Sequence, residues 1–103
     1  MPRAVINCHT SVGDNVLVNT GAVVEHDCRI DSHVHIAPGV TLGGGVSVAS
    51  GCHVELGASV IQSVRLGVDS IVAAGAVVVE DVADGVMVAG VPAVAKRRQG
   101  SMA

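Results

Sequence analysis

The chain contains no phenylalanine, tyrosine or tryptophan in its 103 residues. A core without rings must be narrow and filled by branched aliphatic side chains. Single-stranded nucleic acid loses its usual stacking platform, which argues against that class of ligand. Charge is scarce as well: Asp, Glu, Lys and Arg make up 15% of the residues, and the net charge is −3. No basic field exists to draw in nucleic acid or an anionic membrane surface. No uninterrupted apolar run is long enough for a spanning helix. Cysteine is limited to Cys8, Cys28 and Cys52, an odd count that does not suit a disulfide framework. Only Met1 to Val5 precede the repeat described below, which predicts no signal peptide; together these features predict a cytoplasmic protein.

What is abundant is aliphatic, and it is placed with a strict period. Ile6, Val12, Val18, Val24, Ile30, Ile36, Leu42, Val48, Val54, Val60, Leu66, Val72 and Val78 fall at every sixth position without a break. A second column runs four residues behind, from Thr10, Val16, Ala22 and Cys28 to Ser70, Ala76 and Val82, and every member is small or apolar. So short and regular a period marks a stacked repeat rather than a globular core. Such a stack lets 103 residues bury one continuous column of side chains. Cys28 and Cys52 belong to the small column, where a buried thiol acts as a small hydrophobe. Gly13-Asp14, Asp31-Ser32, Gly43-Gly44-Gly45, Gly57 and Gly67 are placed at corners, which require small residues or positive φ.

The period fails at Asp84. Beyond it the sequence reads as a turn, a short extended segment, a second turn and a polar tail from Val94 that frays. Residues 1–83 are therefore expected to form the repeat domain, and 84–103 a closing segment and tail.

The two columns, together with Ala73-Ala74-Gly75-Ala76-Val77-Val78 and Gly90-Val91-Pro92-Ala93 near the end, resemble the hexapeptide-repeat acyltransferases. The resemblance implies an all-β fold, a left-handed parallel β-helix of about four to five triangular coils, each built from three hexads. The hand is an exception to the usual crossover rule and comes from the family alone. It further implies a homotrimer that binds acetyl-CoA in grooves between subunits.

The stretch Asn19-Thr20-Gly21-Ala22-Val23-Val24-Glu25-His26-Asp27 resembles the sialic acid O-acetyltransferases and the N-acetyltransferases of nucleotide-linked amino sugars. Asn19, His26, Asp27 and His35 match four positions of that subfamily. His26 is the implied general base, and Asp27 the acid that orients it. The residue types suit the task. Transfer from a thioester requires the acceptor amine or hydroxyl to lose its proton as it attacks, and a neutral imidazole takes protons near physiological pH. A carboxylate on the other ring nitrogen fixes the tautomer and stabilises the imidazolium. Neighbours on a strand point to opposite faces, so His26 and Asp27 can meet only at a corner or across a subunit boundary. One coil beyond His26 lies Gly44, whose N–H, free of any Cβ, is a candidate donor to the oxyanion. The resemblance independently has that glycine contact the acetyl carbonyl of acetyl-CoA. It also marks Asn19 as a substrate contact, His35, Leu56 and Ala74 as acetyl-CoA contacts, and Lys96 and Arg97 as candidates for the coenzyme's phosphates.

Other readings compete. His35 and His53 are one coil apart and should stack, and the γ-class carbonic anhydrases place three histidines on zinc on this fold. No trio among His9, His26, His33, His35 and His53 has the required spacing, so no metal is expected. The resembled sugar enzymes carry an N-terminal α/β domain for the acceptor, which these residues do not supply. That leaves three readings: a sugar acetyltransferase, an acetyltransferase for another small molecule, or a non-catalytic trimeric module. The uncovered first coil around Ile6 to Cys8 is an open strand edge, through which two trimers are expected to meet as a hexamer.

Overall fold

The computed structural model describes residues 4–96. Each hexad contributes a two-residue strand and a corner, and three faces result. The first face stacks β1 (Val5–Ile6), β4 (Val23–Val24), β7 (Thr41–Leu42), β10 (Ser59–Val60) and β13 (Val77–Val78). The second holds β2 (Ser11–Val12), β5 (Arg29–Ile30), β8 (Ser47–Val48) and β11 (Arg65–Leu66). The third holds β3 (Leu17–Val18), β6 (His35–Ile36), β9 (His53–Val54), β12 (Ile71–Val72), β14 (Met87–Ala89) and β15 (Val94–Lys96). Val5 pairs with Val23 and Val23 with Thr41, all in parallel, so one coil is eighteen residues. The architecture is a left-handed parallel β-helix of about five coils. No described helix is long and apolar enough to cross a membrane.

In each two-residue strand the second residue points inward. From Val18 to Val78 every member of the aliphatic column is buried, and Ile30, Ile36, Leu42 and Leu66 are its largest side chains. The two earliest members differ. Ile6 is only half-buried and Val12 is 42% exposed, because no described coil lies beneath them. Cys28 and Cys52 are buried as expected, and Cys8 is exposed.

Corners work by one rule: the second corner residue takes a left-handed backbone conformation. Gly21, Gly39, Gly57 and Gly75 do so between the third and first faces. At the other corners His9, Asn15, Asp27, His33, Ser63 and Asp69 adopt φ between 55° and 63°. Asn, Asp and His tolerate that region better than other side chains. Gly43 serves a different need: a Cβ there would stand 2.7 Å from the Gln62 backbone nitrogen.

The closing segment departs from the expected boundary at residue 83. Val82 bridges to Leu66, and β14 pairs with β12 in the register Val72 to Val88. Both steps are sixteen residues instead of eighteen. One corner has lost two residues, which moves Val82 out of the small column and into the aliphatic one. Val82 and Val88 are 4% and 6% exposed, so the core continues through the point where the sequence period breaks. After a turn containing the cis Val91–Pro92 peptide, β15 returns antiparallel to β14. The stretch from Val94 to Lys96, expected to fray, is therefore a strand, held by main-chain pairing that side-chain polarity does not reveal.

Candidate active site

His26 and Asp27 are the two residues of the corner between the first and second faces. Asp27 has φ 60°, which turns its side chain back along the chain toward its neighbour. Its Oδ2 lies 3.0 Å from His26 Nδ1. A carboxylate only accepts hydrogen bonds, so the proton of the neutral imidazole sits on Nδ1 and Nε2 keeps its lone pair. The pair is open to solvent, with side-chain exposures of 64% and 61%. The corner thus satisfies the geometric condition that a straight strand would not.

Gly44 is the matching corner residue one coil above. A Cβ built on it would lie 3.0 Å from His26 Cε1 and 3.2 Å from Nε2. The imidazole is therefore seated directly on the glycine, with its free nitrogen nearer than Nδ1, at 3.5 Å. Among the described residues the Gly44 N–H has no backbone acceptor, while its carbonyl accepts the Ser63 N–H at 2.9 Å.

Asn19 and His35 meet on the third face. Asn19 Nδ2 stands 3.0 Å from His35 Nε2 and donates to the Ile36 carbonyl at 3.3 Å. The carbonyl fixes which end of the amide is nitrogen, so His35 Nε2 accepts and Nδ1 carries the ring proton. Asn19 is thus engaged with His35 in this chain. The ring of His35 packs against that of His53 with centroids 5.6 Å apart and planes tilted by 56°. His53 in turn lines a cleft of about 320 Å³ with Gly51, Glu55, Asp69 and Ile71.

Leu56 and Ala74 stack one coil apart on the corner between the third and first faces; both are exposed, Leu56 at 58%. Lys96 lies on β15, opposite Met87. Arg97 lies outside the described residues. One chain therefore brings the predicted residues together in two sets. His26, Asp27 and Gly44 occupy one corner; Asn19, His35, Leu56 and Ala74 form a strip along the third face and the opposite corner. The first face separates them, so a single chain does not assemble the whole set. Among the described residues no group of three His, Cys, Asp or Glu side chains could hold a metal ion.

Burial pushes the Cys52 thiol up to about 11, a hydrogen bond with Ser70 opposing it, and burial likewise raises the Cys28 thiol. Neither is a nucleophile at neutral pH. The sequence reading missed one polar group beside the site. Thr10, counted only as a small inward residue, places its hydroxyl 3.0 Å from the Glu25 carbonyl. A hydroxyl in a column that is otherwise apolar but for Ser70 was the available signal.

Residues 9–44 match the family described as bacterial transferase hexapeptide (six repeats). No curated protein matches the chain. Among solved structures, a histidine-to-asparagine mutant of perosamine N-acetyltransferase from Caulobacter crescentus, in complex with CoA and GDP-perosamine, is 35% identical with a TM-score of 0.80. The match covers 94% of this chain and 55% of that one. A serine acetyltransferase in complex with CoA is 30% identical over 90% of this chain and 41% of its own, at a TM-score of 0.86. The serine acetyltransferase from Brucella abortus strain S19 is 32% identical over 88% and 41%, at 0.84. The chain thus spans roughly half the length of these proteins, or less. With its six-residue columns and stacked coils, the chain is a hexapeptide-repeat protein built on the left-handed β-helix of the hexapeptide-repeat acyltransferases.

Proposed function

We propose that the protein transfers an acetyl group from acetyl-CoA to the amine or hydroxyl of a sugar or nucleotide-linked sugar. The observation that carries this reading is the His26–Asp27 pair, with Nδ1 engaged and Nε2 free, seated on Gly44. His26 Nε2 takes the acceptor's proton as the acceptor attacks the thioester carbonyl. Asp27 holds the tautomer and stabilises the imidazolium that forms. The Gly44 N–H donates to the developing oxyanion, and collapse releases CoA as the proton leaves His26.

His35, Leu56 and Ala74 are proposed to contact acetyl-CoA, Lys96 and Arg97 its phosphates, and Asn19 to hold His35 and the substrate. Because this strip and the His26 corner lie on opposite sides of the first face, the complete site needs residues from two subunits. That supports a homotrimer with sites between its chains, and a hexamer where two open ends meet. The serine acetyltransferase likenesses favour one alternative acceptor, the hydroxyl of a small amino acid.

Isothermal titration of acetyl-CoA, followed by a panel of amino sugars, nucleotide-linked sugars and serine, tests the reading. Saturable binding near one site per chain is expected, weakened by His35→Ala, with turnover abolished by His26→Ala. A trimeric sample that binds no acetyl-CoA refutes the enzyme reading and leaves a structural module.

A further inference from the structure

Many corners of this prism close with one hydrogen bond across the turn. Ala22 N–H donates to the Asn19 carbonyl at 3.1 Å, Ala58 N–H to Glu55 at 3.2 Å and Ala76 N–H to Ala73 at 3.1 Å. Among the described residues no such bond spans a corner between the first and second faces, and at the one that carries His26 and Asp27 a side chain fills the gap. There the Cys28 N–H donates to Thr10 Oγ1 at 3.3 Å, and the Thr10 hydroxyl donates to the Glu25 carbonyl at 3.0 Å. Thr10 belongs to the coil below. Its oxygen stands between the two groups, accepting from one and donating to the other.

The next corner repeats the device with sulfur. The Cys28 thiol donates to the Gly43 carbonyl at 3.2 Å, and the Val46 N–H faces the same sulfur. Gly44 lies inside that bracket. Further along the same inner column stand Val46 and Val64, which carry no heteroatom. Polar bracing from behind thus occurs at the two corners that hold the candidate chemistry, in a column that is otherwise hydrocarbon.

We propose that Thr10 is a positioning residue for the His26–Asp27 pair: its hydroxyl spaces the turn 25–28 and so sets where the imidazole stands over Gly44. Without that hydroxyl two outcomes are available. The Glu25 carbonyl and Cys28 N–H stay apart with no partner in a partly buried site, or they close directly as Asn19 and Ala22 do. Direct closure draws residues 25 and 28 together and rotates the two residues between them. Closure moves the imidazole off its seat, and an unpartnered turn no longer holds it to a single position. The consequence for turnover rests on the acetyltransferase reading; the consequence for ring geometry does not.

Thr10→Val removes the hydroxyl at nearly constant shape, and Thr10→Ser restores it. Two readouts on the full chain separate the claims. The first is nitrogen NMR of the His26 ring, which reports tautomer and hydrogen bonding whether or not the protein is an enzyme. The expected result is altered ring shifts in Thr10→Val and wild-type shifts in Thr10→Ser. The second is steady-state transfer from acetyl-CoA. There kcat should fall about tenfold in Thr10→Val at unchanged KM for acetyl-CoA, with recovery in Thr10→Ser, since small misplacements of a reacting group cost that much or more.

Wild-type His26 shifts in Thr10→Val overturn the proposal, even if the variant melts earlier, because they reduce Thr10 to a core residue. A wild-type protein that transfers nothing overturns the acetyltransferase reading and leaves the NMR result to decide on Thr10. If Thr10→Val does not fold, the wild-type hydroxyl proton decides. Protection from solvent exchange supports the bridge, and exchange at the rate of a free threonine overturns it.

Discussion

Replacing Gly44 by alanine should separate catalysis from stability in this protein. The added Cβ would stand 3.0 Å from His26 Cε1 and 3.2 Å from Nε2. Non-bonded carbons rest about 3.5–4.0 Å apart, so the ring must withdraw by about 0.5 Å or more. It can do so freely, because the His26 side chain is 64% exposed and moves into solvent without compressing the core. The backbone raises no objection either. Gly45 has a positive φ of 73°, but Gly44 does not. Folding stability should therefore change by less than about 1 kcal/mol, with a slight gain possible from the stiffer unfolded chain.

Turnover has no such slack. A displacement of this size at a general base is expected to lower kcat by about 10- to 100-fold. The KM for acetyl-CoA should hold, because His35, Leu56 and Ala74 are untouched. The assay is CoA release with an acceptor identified on the wild type, run beside thermal unfolding. A Gly44→Ala enzyme with wild-type kcat would show that the imidazole has no fixed seat on this glycine. A kcat loss matched by a collapse in Tm would place the effect in the fold.

Other expectations follow from the same geometry. Asp27→Asn keeps a residue that tolerates φ 60° and should leave Tm unchanged while lowering kcat about tenfold or more; Asp27→Ala should also lose about 1–2 kcal/mol of stability, measurable by chemical denaturation. A thiol reagent should modify exposed Cys8 quickly and reach buried Cys28 and Cys52 only on unfolding, so one fast thiol in three is the expected count. The Cys52 thiol stands at about 11 in the fold against 9.0 for an unperturbed one. The stability from keeping it protonated is whole below pH 9 and is lost as pH rises to about 11, a fall of about 2–3 kcal/mol that a Cys52→Ala variant should not show. Ile36→Ala, in the middle of the buried column, should cost about 2–5 kcal/mol in chemical denaturation.

The sequence by itself determined the prism. A six-residue period can bury its aliphatic column only by stacking coils, and the burial of Val18 through Val78 is what that column demands. It also offered candidates for the chemistry, since Asn19, His26, Asp27 and His35 match positions of the subfamily it resembles and Gly44 lies one coil beyond His26. Tertiary structure decided which of them touch. Asp27 reaches His26 because its φ is positive, a property of the corner that a strand reading denies. Asn19 is engaged with His35 through the fixed orientation of its amide, which no spacing rule reveals.

The closing coil was hidden for a different reason. Losing two residues at one corner shifts the phase of everything beyond, yet parallel pairing absorbs the loss and returns Val82 and Val88 to the core. The bridge from Thr10 to Glu25 and Cys28 was hidden as well, because it joins residues from successive coils. Periodicity tells which residues stack; only the packed coils settle which side-chain atoms come within hydrogen-bonding distance.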